Sequence, residues 1–124
     1  MGQEPWPTEL RLSEGGRMLN VSFDDGAQFA LSAELLRTQS PSAEVQGHSA
    51  KERKTIGGKR NVAIIAVAPV GNYAVRLDFD DMHRTGIYTW RYLRELGETA
   101  AERFSSYLEE LAAKGLDRDR PGEK

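Results

Sequence analysis

The chain has 124 residues, 39% of them hydrophobic, with 17 Lys and Arg against 19 Asp and Glu, two His and no Cys. That length suits one domain around one core, and without cysteine the chain itself can hold no disulfide, thiolate nucleophile, cysteine-ligated zinc or Fe–S cluster. A net charge of −2 argues against a dedicated nucleic-acid binder, which needs a basic footprint to displace counterions from phosphates.

The first residues show neither the basic stretch nor the apolar stretch of an export signal, and Trp6 stands where a myristoylation signal would want Ser or Thr. The longest apolar run, 62–70, has nine residues including Pro69, far short of the roughly 20 needed to span a bilayer. The expectation is a soluble cytoplasmic protein with no membrane partner.

Leu10 and Leu12 alternate with polar neighbours, and over 18–23 Leu19, Val21 and Phe23 share one face while Asn20 and Ser22 share the other. A period of two with one wet face predicts strands. The turn clusters Glu14-Gly15-Gly16 and Asp24-Asp25-Gly26 make the first 32 residues a three-strand antiparallel meander ending at 28–31. Ser32 is placed to cap a short helix over 33–37, which Pro41 keeps from running on.

Residues 46–60, QGHSAKERKTIGGKR, have almost no apolar content and five basic residues against one acidic, a pattern that predicts a solvated, mobile loop. The run from Lys51 to Arg60 offers a further, weaker reading as a nucleic-acid contact, although no aromatics interleave it. The β-branched run 62–70, a tight turn at Gly71-Asn72 and an alternating segment 73–79 then predict a hairpin, with Tyr73, Val75, Leu77 and Phe79 on one face. A short helix is expected over 88–96, stopped by Gly97, followed by a longer one over 98–114 with Gly115 at its C-terminus. Ala100, Ala101, Phe104, Tyr107, Leu108, Leu111 and Ala112 would form the buried stripe of that second helix. The charged segment 117–124 reads as a disordered tail, leaving 7–116 as the domain.

The expected fold is α+β: a mostly antiparallel sheet of about five to six strands, with a short helix and a C-terminal amphipathic helix on one face. Polar groups collect at the end of the second hairpin strand, where Asp78, Asp80, Asp81, His83 and Arg84 precede Tyr88 and Trp90. A non-haem iron site needs two imidazoles and a carboxylate, so His48 would have to fold back onto His83 and Asp80 or Asp81. Against that stands the ordinary reading of Asp80 and Asp81 as turn residues that accept hydrogen bonds from their own backbone. Ser40, Ser42 and Ser49 sit in no nucleophile-elbow pattern, and no phosphate-cradling loop of the Walker or dinucleotide type occurs.

Three stretches together resemble a known family. They are Phe23-Asp24-Asp25-Gly26, then Leu36-Arg37-Thr38-Gln39-Ser40-Pro41-Ser42-Ala43-Glu44-Val45, and then Val70-Gly71-Asn72-Tyr73 leading through Asp80-Asp81-Met82-His83-Arg84-Thr85-Gly86-Ile87-Tyr88-Thr89-Trp90. Over 7–96 the chain resembles the gamma-butyrobetaine hydroxylase N-terminal-like domain family. In the hydroxylases this domain precedes a 2-oxoglutarate-dependent oxygenase domain; it also occurs fused to P-loop ATPases of Fe–S cluster assembly, and bacterial members often stand alone. The resemblance implies a structural zinc held in the hydroxylases by three cysteines and a histidine. Here the matching positions read Ser40, Ser42 and Val45, while His83 remains. Hydroxyls and a valine do not replace thiolates, so no metal or other cofactor is expected and His83 should hydrogen-bond the loop to the sheet.

The resulting expectation is a non-catalytic binding or adaptor domain serving a protein partner, a P-loop Fe–S carrier or an oxygenase. Its contact surface would comprise Ser40, Ser42, Asp80, Asp81, His83, Arg84, Tyr88 and Trp90. The alternative is a metal-binding accessory protein or small metal-dependent enzyme, holding iron or zinc weakly at His83, Asp80, Asp81 and His48.

Overall fold

In the computed structural model, residues 6–42, 45 and 55–119 are described. Among the described residues there are six strands, all paired antiparallel, and they divide into two three-stranded sheets. The first sheet is the expected meander, β1 (Pro7–Ser13), β2 (Met18–Phe23) and β3 (Gln28–Ser32), in that order. Leu19, Val21 and Phe23 are buried and Asn20 and Ser22 are not, as a period of two on a half-wet sheet requires. Ser32 then caps α1 (Ala33–Thr38), its Oγ accepting from the Leu35 backbone N–H at 3.0 Å.

The second sheet runs β4 (Ile64–Val70), β5 (Ala74–Phe79) and β6 (Gly86–Thr89). Register fixes its faces. Val67 pairs with Leu77 and Leu77 with Gly86, while Val75 pairs with Tyr88; these rows face the core. Ala68 pairs with Arg76 and Arg76 with Ile87, a row on the opposite face. Tyr73 does not join the buried face as expected: it lies in the turn before β5 and is exposed.

Tyr88 opens no helix. It is the third residue of β6, and helix α2 starts after it (Trp90–Glu98), where the Thr89 hydroxyl accepts the Tyr92 N–H. Nor does Gly97 stop that helix. A Cβ at this position would lie 2.4 Å from the Phe29 ring, so the glycine lets β3 and α2 approach closely. Gly97→Ala should therefore reverse the usual sign. In an open helix it would stabilise by about 1 kcal/mol, whereas urea denaturation should here show a loss of about 1–3 kcal/mol from overpacking.

Helix α3 (Ala100–Ala113) follows α2 and packs on it. Its buried stripe is narrower than the spacing predicts. Tyr107 and Leu111 are buried and Phe104 packs on the core, but Ala101, Leu108 and Ala112 face outward, because the helix rides mainly on α2 and not across a sheet. The helix ends with Gly115 at φ +70 and the Leu116 N–H bonded to the Leu111 carbonyl. Among the described residues no helix is long and apolar enough to cross a membrane.

The described parts of two segments expected to be loose, 55–60 and 117–119, are bonded to each other. Gly58 N–H donates to the Asp117 carbonyl at 2.9 Å and Arg60 N–H to the Arg118 carbonyl at 3.0 Å. Arg118 also forks onto the buried Glu34 carboxylate at 2.7 and 2.8 Å and lies over the Phe104 ring. Charges that look solvated in the sequence are thus matched within the fold. Residues 46–54, with His48 and Lys51, and 120–124 lie outside the described residues.

Candidate functional site

The loop after α1 and the turn after β5 meet at one end of the second sheet. Ser40, Ser42, Val45 and His83 are all buried there, with Ser40 fully enclosed. Ser40 Oγ lies 2.9 Å from His83 Nε2 and accepts the Ser42 backbone N–H at 3.2 Å; Ser42 Oγ is 2.6 Å from Thr85 Oγ1. The imidazole therefore joins the loop to the sheet through a serine hydroxyl. Gly86 is needed at this junction because a Cβ there would lie 2.6 Å from Ser40 Oγ. Tyr88 completes the tie: from β6 its buried phenol donates to the Leu36 carbonyl at 2.5 Å, and burial raises its pKa above the ordinary phenol value.

Asp81 braces the turn that presents His83, whereas Asp80 ties the end of β5 to the segment before β4. Asp80 Oδ1 accepts the Ala63 N–H at 3.1 Å, and Asp81 Oδ1 accepts the His83 N–H at 3.1 Å. Phe79 N–H donates to the His83 carbonyl at 2.9 Å, closing the loop, and Met82 sits at its tip with φ +75 and 71% exposure. Asp81 carries more than a turn. Its Oδ2 is 2.7 Å from Arg37 Nε and 2.5 Å from Lys59 Nζ, which links the turn to α1 and to the segment before β4. Burial pushes the Asp81 carboxyl up, but hydrogen bonds from Lys59 and Arg37 outweigh it, so its pKa falls to about 2.

Half of the expected contact residues are therefore inside. Ser40, Ser42, His83 and Tyr88 are buried, because each supplies a hydrogen bond that holds the loop, and they do not form the surface assigned to them. Asp80 and Arg84 are exposed; Asp81 and Trp90 are partly so, with Trp90 Nε1 donating to the Asn72 carbonyl at 3.0 Å and its ring 6.3 Å from Trp6. Of the metal candidates, Asp81 already shares two cations and His83 a serine. Among the described residues no three His, Asp or Glu side chains gather as a metal group. Arg37 and Lys59 escaped the sequence reading. Arg37 looked like an ordinary last-turn base and Lys59 one of a solvated run, and neither carries a signal of its partner.

Comparisons with known proteins bear on the fold and the family. No curated protein matches the chain. One protein solved in solution by NMR is 44% identical, with a TM-score of 0.81 over 99% of this chain and 92% of its own. A second NMR structure is 39% identical, with a TM-score of 0.82 over 98% of this chain and 95% of its own. A crystal structure of a protein of unknown function from Acidithiobacillus ferrooxidans, of the DUF971 family, is 38% identical at a TM-score of 0.64, covering 77% of this chain and 98% of its own. The family model described as gamma-butyrobetaine hydroxylase-like, N-terminal, matches residues 10–94, a span that holds both the Ser40 loop and the His83 turn, and the chain belongs to that family.

Proposed function

We propose that the chain is a non-catalytic binding domain that docks a protein partner through the outer face of the second sheet and the turn after β5. The observation that supports this most is the distribution of side chains at that end of the molecule. Groups able to do chemistry, His83, Ser40 and Asp81, are engaged with one another or with cations, while apolar groups stand in solvent. Ile65 is 64% exposed, Met82 71% and Ile87 43%, with Arg76 and Asp78 between the strands that carry the two isoleucines. An apolar surface with a central charge pair suits a specific protein contact better than a reaction centre.

The family resemblance names two partner classes to try, a P-loop Fe–S carrier ATPase and a 2-oxoglutarate-dependent oxygenase. Isothermal titration calorimetry of the purified chain against each should give saturable binding to one of them. Ile87→Asp should weaken that binding at least tenfold, a loss of about 1.4 kcal/mol, with the circular dichroism unchanged. Absence of binding to both classes, or wild-type affinity in the folded Ile87→Asp variant, would remove the support for this reading.

A further inference from the structure

We infer that an open cleft of about 600 Å³ between the end of α1 and the paired helices α2 and α3 is a binding site for a small aromatic carboxylate. This inference is independent of the partner reading, since the cleft shares no residue with the sheet face. The central group is Arg103. Its Nε donates to Thr99 Oγ1 at 2.7 Å and its Nη1 to Gln39 Oε1 at 3.2 Å, while the guanidinium stands 5.6 Å from the centre of the Tyr92 ring. All three neighbours are neutral. Arg37, Arg94 and Arg118 each hold a carboxylate of the chain, but among the described residues Arg103 makes no ion pair, even though Glu102 lines the same cleft.

A guanidinium fixed by neutral acceptors keeps its charge uncompensated and its fork in a set orientation, the arrangement that receives a carboxylate by two parallel hydrogen bonds. The seat is itself braced. Tyr92 donates its hydroxyl to the Gln39 carbonyl at 2.5 Å, and Gln39 is buried, so the ring and the amide that hold Arg103 do not rearrange when a ligand arrives. The rest of the lining sets the body of the ligand. Pro41 and the Tyr92 and Tyr107 rings give apolar walls, and the Ser106 hydroxyl adds a polar group at the exposed side of α3. The volume falls within the range of small-molecule sites, and the oriented polar groups gather around Arg103.

The test is a titration of the ¹⁵N-labelled chain with sodium benzoate, with benzamide as the uncharged control. Saturable shifts are expected at the Tyr92 amide and along 99–107, with benzamide binding at least about tenfold more weakly. Arg103→Gln should cost a similar factor. Should that variant fail to fold, Ser106→Leu fills the mouth from a solvent-facing position without touching the partners of Arg103, and it should abolish the shifts. The assignment is overturned if benzoate gives no saturation up to its solubility, if benzamide binds as well, or if a folded variant keeps wild-type affinity.

Discussion

Replacing Asp81 by asparagine is expected to destabilise the fold by about 2–3 kcal/mol, measured by urea denaturation at neutral pH. Breaking a well-enclosed ion pair costs more than the pair contributes, because the remaining charge stays desolvated. Asp81 is 18% exposed at its side chain, Arg37 11% and Lys59 20%, so water relieves this only in part. Arg37 is already exacting: its Nη1 is buried with no acceptor among the described residues. The asparagine keeps an oxygen for the His83 N–H, so the loss reports the two cations and not the turn.

The same carboxylate gives a signature in pH. The folded pKa of Asp81 is about 2, below the ordinary 3.8, so between these values the unfolded chain binds more protons than the folded one. Stability from Asp81 is therefore complete above about pH 4 and is lost as the pH falls toward 2. A depression of this size corresponds to about 2 kcal/mol. The stability gap between wild type and Asp81→Asn should close over that window; a constant gap from pH 5 to pH 2 would show that the two cations are not what Asp81 contributes.

How much of this was legible in the sequence depends on the range of each interaction. The alternation at Leu19, Val21 and Phe23 and the cap at Ser32 are local, and each strand or helix they predict is present. The four-residue β6 is hidden because Tyr88, Tyr92 and Leu96, each four positions from the next, also fit a helical spacing; Thr89, a helix-capping residue, marks the true boundary. The division of six strands into two sheets leaves no periodic trace, since each strand keeps one buried face either way. The partners of the site are more distant still. Ser40 and His83 are 43 positions apart and Arg37 and Asp81 are 44, so spacing alone could not join them. The resemblance did join Ser40, Ser42, Val45 and His83, and all four are buried where the loop meets the turn. What it did not reveal was that several of those side chains, once inside, are withdrawn from any contact surface.

Combining Ser40→Cys, Ser42→Cys and Val45→Cys should convert this junction into a zinc centre, the largest gain any small set of changes is expected to bring. In a tetrahedral site a thiolate sulfur and an imidazole nitrogen lie about 3.5 Å apart, from bonds of about 2.3 and 2.0 Å to the metal. Ser40 Oγ and His83 Nε2 are 2.9 Å apart, so the pair must open by roughly half an ångström, which a turn of the side chain at position 40 has to supply. Ser42 and Val45 sit on the same short loop, with the Val45 N–H bonded to the Ser42 carbonyl at 2.9 Å, which keeps the second and third ligands one turn apart. Binding by a preformed site of this kind is worth on the order of 10 kcal/mol at neutral pH, well above the hydrogen bonds it would replace. The triple variant should therefore bind Co(II) with the intense visible bands of tetrahedral thiolate ligation, exchange it for Zn(II), and melt at a higher temperature with metal than without. Adding His83→Ala should weaken the metal and shift the bands. A triple variant that folds yet stays colourless with Co(II), or whose spectrum ignores His83→Ala, would mean that the serine–histidine hydrogen bond does not occupy the place of a metal.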